Sequence, residues 1–131
     1  MYITPPDAGE YGEFYSGYVT LVQHEADIVA VLERQIAPVH SLKNLSPEQA
    51  AFRYADGKWS VKQVIGHMAD AERIFAYRLL RVARADRTPL PGFDENSFVE
   101  NANFDERSAS SLADELLVAR QSTLSLIRGL D

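Results

Sequence analysis

Cysteine is absent from these 131 residues, which removes disulfides, thiolate metal ligation and a thiol nucleophile from consideration. Basic charge is short as well. Thirteen Lys and Arg against 19 Asp and Glu leave a formal net charge of −6, whereas a nucleic-acid surface needs a cationic stripe to displace counterions from phosphates. No apolar run approaches the ~20 residues of a membrane span. The N-terminal MYITPPDAGEYGEFY also lacks the basic flank and apolar stretch of a signal peptide. Neither nucleic acid nor membrane is therefore expected as a partner, and the cytoplasm is the expected compartment. Alternating strand patterns, internal repeats and low-complexity tracts are missing too.

What remains is an ordinary globular composition, 46% hydrophobic and 24% charged, at a length suited to one small domain covering residues 1–131. Pro5, Pro6 and Gly9 mark an extended lead-in. A helical period then runs from about Tyr11 to Ile36, with Pro38 as its stop. Ser46-Pro47-Glu48 has the N-cap serine and first-turn proline of a short helix. Ser60, with Gln63 three residues on, forms a capping box opening a second long helix that reaches about Ala85. A polar connector, DRTPLPGFDENSFVENANFDER, follows, long enough to carry a short helix of its own near Asp94 to Ala102. The third long helix starts between Ser108 and Ser111 and ends at Gly129. Three such helices predict an all-α, antiparallel up-down helical bundle.

At 100° per residue each long helix carries one apolar stripe interrupted by one charge. Phe14, Tyr18, Leu21, Val22, Ile28, Val29, Leu32 and Ile36 surround Glu25. Val61, Ile65, Met68, Ala69, Phe75, Ala76, Leu79 and Ala83 surround Glu72. Leu112, Ala113, Leu116, Leu117, Thr123, Leu124 and Ile127 flank Arg120. Lone charges inside a core are costly, so the three are expected to meet, with the planar guanidinium of Arg120 bridging Glu25 and Glu72. Such a cluster serves either helix register or a functional site.

Of the three histidines, His67 lies off the main stripe of its helix, beside Ala71, Ile74 and Arg78. Asp70, one turn on, is a candidate co-ligand or acceptor for its second nitrogen. His24, at the edge of the first stripe, and His40, in a connector, lack the i+3 or i+4 partner of a helical metal site. On periodicity alone, a single histidine at such a place is more often solvated or hydrogen-bonded than a metal ligand.

The segment KWSVKQVIGHMADAERIFAYRLLRVARADRTPLPGFDEN, residues 58–96, resembles the DinB-like superfamily in its DinB_2 branch, through Trp59, Ser60, His67, Asp70, Glu72 and the PGFDEN connector. The resemblance implies a four-helix bundle of up-down-down-up topology holding a divalent metal, nickel or zinc, on three histidines. It also implies S-transferase chemistry that joins a low-molecular-weight thiol to an electrophile, or the activity of a hydrolase-like stress protein. His67 matches the family ligand on the second helix. The other two family ligands form an HxxxH motif on a fourth helix, and no HxxxH occurs in this sequence. Only three of the family's long helices are thus expected here, from a trimmed chain or from a shortened member that has lost its metal chemistry. Asp94, Glu95 and Asn96 either line the mouth of the site or cap the loop against the bundle end. An apolar face left open by three helices is expected to be buried in a homodimer. The competing readings are a noncatalytic stress-response bundle used for self-association and a carrier of a small molecule in the open groove.

Overall fold

Seven α-helices account for most of the computed structural model, which describes residues 3–130. They are α1 (Ser16–Val22), α2 (Ile28–Arg34), α3 (Ile36–Ser41), α4 (Pro47–Ala51), α5 (Val61–Ala83), α6 (Glu95–Glu100) and α7 (Ala109–Arg128). No strand occurs among the described residues.

The first helical period does not form one helix. A single 3₁₀ turn, Glu13–Tyr15, leads into α1, and the chain breaks after Val22. Asp27 then adopts an extended backbone and accepts from the Ala30 amide at 3.0 Å, so that it caps a new helix. The second break, at Gln35, has its origin in Pro38. Proline has no N–H, so the Arg34 carbonyl loses its partner four residues on, and the ring crowds that same carbonyl. Pro38 therefore sits in the first turn of α3, where a missing N–H costs nothing, and does not end the helical region. A consequence is that the expected first stripe is only half a core stripe. Phe14, Tyr18 and Leu21 are 77%, 64% and 71% exposed.

The other boundaries follow local chemistry. Ser46 with Gln49 and Ser60 with Gln63 complete reciprocal capping boxes at the starts of α4 and α5. Ser108 accepts from the Ser111 amide to open α7. Helix α5 stops two residues earlier than the periodicity predicts, because Ala85 turns left-handed at φ 57°. Its amide bonds the Val82 carbonyl, and that of Asp86 bonds the Arg81 carbonyl, the paired closure of a Schellman cap made without the usual glycine.

The two long helices run side by side in the same direction. Ser60 meets Asp105 just before α7, Arg73 meets Glu115, and Glu72 meets Arg120, so residue numbers rise together along the seam. Against α7 the α2–α3 arm runs the other way, with Glu33 at Arg128, Gln35 at Arg120 and Lys43 at Asp114. This is an up-down-down order, and it obliges residues 84–108 to return along the bundle before α7 begins. The core sits in the seam: Ile65, Ala69, Val99, Phe104, Leu112 and Leu116, with Val39, Leu42, Leu45 and Trp59 packed around them.

Gly66 makes this seam close. A Cβ there would fall within the contact radius of the Phe104 ring, itself 6% exposed. On a free helix, Gly→Ala gains about 1 kcal/mol. Here Gly66→Ala is expected to cost about 2 kcal/mol through overpacking in urea denaturation, and Phe104→Leu in the same chain to recover part of that loss.

Candidate functional site

Helix α5 presents two faces, and the functional candidates lie where it turns away from the α7 seam. His67 is half-buried, and its ring packs on Trp59 with centroids 4.9 Å apart at a 52° tilt. Trp59 precedes the Ser60 cap, so the same box that starts α5 places the indole against the imidazole about two turns later. The imidazole borders a groove of about 370 Å³ lined also by Leu32 of α2, Met68, Ala71, Glu72, Phe75 and Leu79 of α5, and Arg120 of α7. A second cleft, of about 500 Å³, opens on the other side of Trp59 between Phe52, Tyr54, Lys58, Met68 and Asn96. Met68 separates the two.

The expected three-charge cluster assembles only in part. Arg120 holds Glu72 in a bidentate pair at 2.8 and 3.0 Å, with 12% and 13% of the two side chains exposed. Its remaining donor atom reaches the Leu32 carbonyl at 3.1 Å and the Gln35 side-chain oxygen at 2.7 Å. Glu25 is not there. The chain break before Asp27 carries it off the α2 axis, and it pairs with Arg34 at 3.2 Å. A neutral amide and a backbone carbonyl therefore occupy the place where a second carboxylate was expected.

Asp70 lies one turn after His67, but its nearest cation is Arg73, at 3.6 Å. Burial pushes its carboxyl above the usual aspartate range, against the opposing pull of Arg73. Burial also pushes Glu115 upward, but hydrogen bonds from Arg73 and Arg107 outweigh it, and its carboxyl titrates below the usual glutamate range. Asp94 is a helix cap: it accepts from the Asn96 and Ser97 amides at 3.0 and 3.1 Å. Glu95 is exposed, and of the three connector residues Asn96 lines the 500 Å³ cleft. His24 is exposed beside Glu25, and His40 lies exposed in the last turn of α3.

One polar hub escapes sequence reasoning. Asp105 accepts from the Ser60 hydroxyl at 2.5 Å and from Arg53 at 2.8 Å, while Arg53 also donates to the Lys58 carbonyl and to Gln63. Its partners lie up to 52 residues apart in the chain, and no local motif announces them.

The arrangement bears directly on metal binding. A catalytic divalent site takes about three protein donors and leaves one position open. Among the described residues no group of three His, Asp or Glu side chains is placed to hold an ion. His67 is the imidazole at the groove, Glu72 is committed to Arg120, and Asp70 faces Arg73. The described residues therefore supply one donor of such a site and do not by themselves fit a metal.

Residues 32–131 match the sequence profile of the DinB superfamily. A curated protein of Oceanobacillus iheyensis with the printed name "putative metal-dependent hydrolase" is 29% identical over 59 residues, which are 44% of this chain and 34% of that protein. The match thus spans about a third of the relative's length. No solved structure matches the chain significantly.

Two outcomes follow from the charges. Arg120→Leu strands one carboxylate, Glu72, and is expected to cost about 3 kcal/mol; pairing it with Glu72→Met should recover most of this, and Glu25→Gln should stay within about 0.5 kcal/mol of the parent, all by urea denaturation at pH 7. Glu115 contributes stability that is present above the usual glutamate range and lost as the pH falls through its own lower value. Glu115→Gln is accordingly expected to cost about 1 kcal/mol at neutral pH, a figure reduced for solvent screening, and nothing once the parent is titrated to acid. A gap that persists unchanged in acid would show that the charge is not the source.

Proposed function

This chain belongs to the DinB superfamily, and from that premise we propose that it contributes one metal-binding imidazole, His67, to a metal-dependent site of hydrolase or thiol S-transferase type. The observation that carries the reading is the position of His67: half-buried, braced by Trp59 and bordering a 370 Å³ groove. The two carboxylates nearest it on α5 are already engaged by arginines. That leaves the imidazole as the uncommitted donor on this wall. The relative's printed name supports a metal-dependent activity of the hydrolase kind.

One imidazole does not fix a divalent ion, so two further donors must be brought to the groove by polypeptide other than the described residues. Nickel or zinc is the ion that the family resemblance implies, and both suit imidazole. A low-molecular-weight thiol is the expected cosubstrate in the transferase form, and it has room in the 500 Å³ cleft beyond Met68, where Lys58 and Asn96 supply polar contacts. That cleft also favours a second reading, a noncatalytic carrier. Its walls are Phe52, Tyr54 and Trp59, an apolar enclosure with few polar groups of the kind small ligands occupy.

The chain contains one tryptophan, and it touches the imidazole in question. Nickel titrated into the protein is therefore expected to quench Trp59 emission with the weak affinity that a single imidazole allows. His67→Ala should raise the apparent Kd about tenfold or more with the far-UV circular dichroism unchanged. Equal nickel affinity in parent and variant would remove the metal reading and leave the carrier.

A further inference from the structure

The indole that meets His67 is held by its own main chain. Peptide groups are planar, so the two planes flanking a Cα fix that residue's backbone angles and with them the direction in which its side chain leaves. Both planes around Trp59 are hydrogen-bonded. On the near side, the Lys58 carbonyl accepts from Nη1 of Arg53 at 2.6 Å. On the far side, the Ser60 amide donates to Oε1 of Gln63 at 2.9 Å, and the same oxygen accepts from Nη1 of Arg53 at 2.7 Å. A guanidinium nitrogen of this kind carries two hydrogens, one for each acceptor. Arg53 therefore reaches one plane directly and the other through a single atom.

These contacts close into a ring. Ser60 Oγ accepts from the Gln63 amide at 3.0 Å and donates to Oδ1 of Asp105 at 2.5 Å, while Oδ2 of Asp105 accepts from Nη2 of Arg53 at 2.8 Å. A capping box is complete with its serine and glutamine alone. The box at Ser46 and Gln49 is such a case, with no arginine or aspartate bonded to it among the described residues. At Ser60, which is 1% exposed, the box has gained Arg53 and Asp105. Asp105 follows Phe104, the residue packed over Gly66, so the ring is tied to the core. What the added pair holds, beyond what a cap requires, is the backbone of Trp59.

We propose that Arg53 is a positioning residue for His67, acting through Trp59. The indole lies with its centroid 4.9 Å from that of the imidazole, so its placement excludes the rotamers of His67 that would cross it and limits where the ring nitrogens point. An arginine is needed because its rigid fork meets the Lys58 carbonyl, Gln63 and Asp105 at once, whereas a lysine offers one point charge. That the imidazole serves a metal rests on the reading above; its positioning by Arg53 does not.

Proton NMR of the metal-free full chain tests this, at about pH 8 where ordinary imidazoles are neutral. The indole ring current is expected to displace the His67 ring signals from those of the exposed His24 and His40, with His67→Ala identifying them by their loss. Arg53→Met keeps much of the apolar stem and removes the donors. It is expected to lose most of the displacement while far-UV circular dichroism is unchanged. Lys43→Met breaks an ion pair elsewhere in the bundle and should leave the displacement intact, which separates positioning from a general loss of stability. If Arg53→Met does not fold, Asp105→Asn serves in its place: it keeps an acceptor for Ser60, removes the charge facing Arg53, and should lose part of the displacement. Undisplaced His67 signals in the parent overturn the proposal. So does a displacement that persists in folded Arg53→Met, or in Asp105→Asn where that variant is the one measured. The nickel titration reads the other premise, since equal affinity in parent and His67→Ala removes the metal and leaves this NMR result untouched.

Discussion

The guanidinium of Arg120 is the joint on which the three-helix arrangement turns. Its fork takes both oxygens of Glu72 on α5, and its other edge takes the Leu32 carbonyl and the Gln35 side chain at the gap between α2 and α3. That gap exists because Pro38 withholds an amide from the end of α2. Helix ends leave four carbonyls without intrahelical partners, and Arg120 answers one of them. A residue on α7 thereby ties the arm that runs up the bundle to the two helices that run down it. A buried ion pair is weak evidence of net stability, since desolvation offsets much of the attraction. Its sharper contribution is positional: a planar fork accepts one geometry, and that sets the height of α5 against α7.

A parallel pair of helices has a topological consequence. Antiparallel neighbours join through a short loop, whereas α5 and α7 need residues 84–108 to travel back along the bundle. That return passage places Phe104 over Gly66, Val99 in the core, and Asp105 beneath the Ser60 cap. It is therefore wall material as much as connection. With the passage and α7 packed on α5, the flank of α5 that carries His67, Met68 and Phe75 is left open, and both clefts border it.

Much of this was legible in the residues, and the failures are instructive. The capping boxes at Ser46 and Ser60, the short helix behind Asp94 and the buried stripe of α7 are local, and local chemistry predicts them. The single long first helix was misread because Asp27 looks like one more polar residue in a periodic stripe until its backbone turns extended to cap α2. The two-carboxylate cluster failed with it, since Glu25 belongs to the interrupted segment. The end of α5 was missed because Ala85 does what a glycine normally signals. The Arg53–Asp105–Ser60 hub was invisible for a different reason: it joins segments that only the fold brings together. Where the sequence resembled a family, the implied up-down-down order was the feature that periodicity alone does not distinguish from an antiparallel bundle.

His67 shows where reading a residue by type gives way to reading it by commitment. An imidazole one turn from a carboxylate suggests a pair, yet Asp70 faces Arg73 and Glu72 faces Arg120, so each nearby acid already has its counter-ion. Metal ligands must shed such partners, and a carboxylate inside a bidentate pair with 12–13% exposure gives up that pair only with a large loss. The same arginines that hold the bundle in register thus keep the carboxylates from the groove. What is left is an imidazole packed on Trp59, beside acids that are already paired with arginines. On the proposed reading, such a wall needs its further metal donors from another surface.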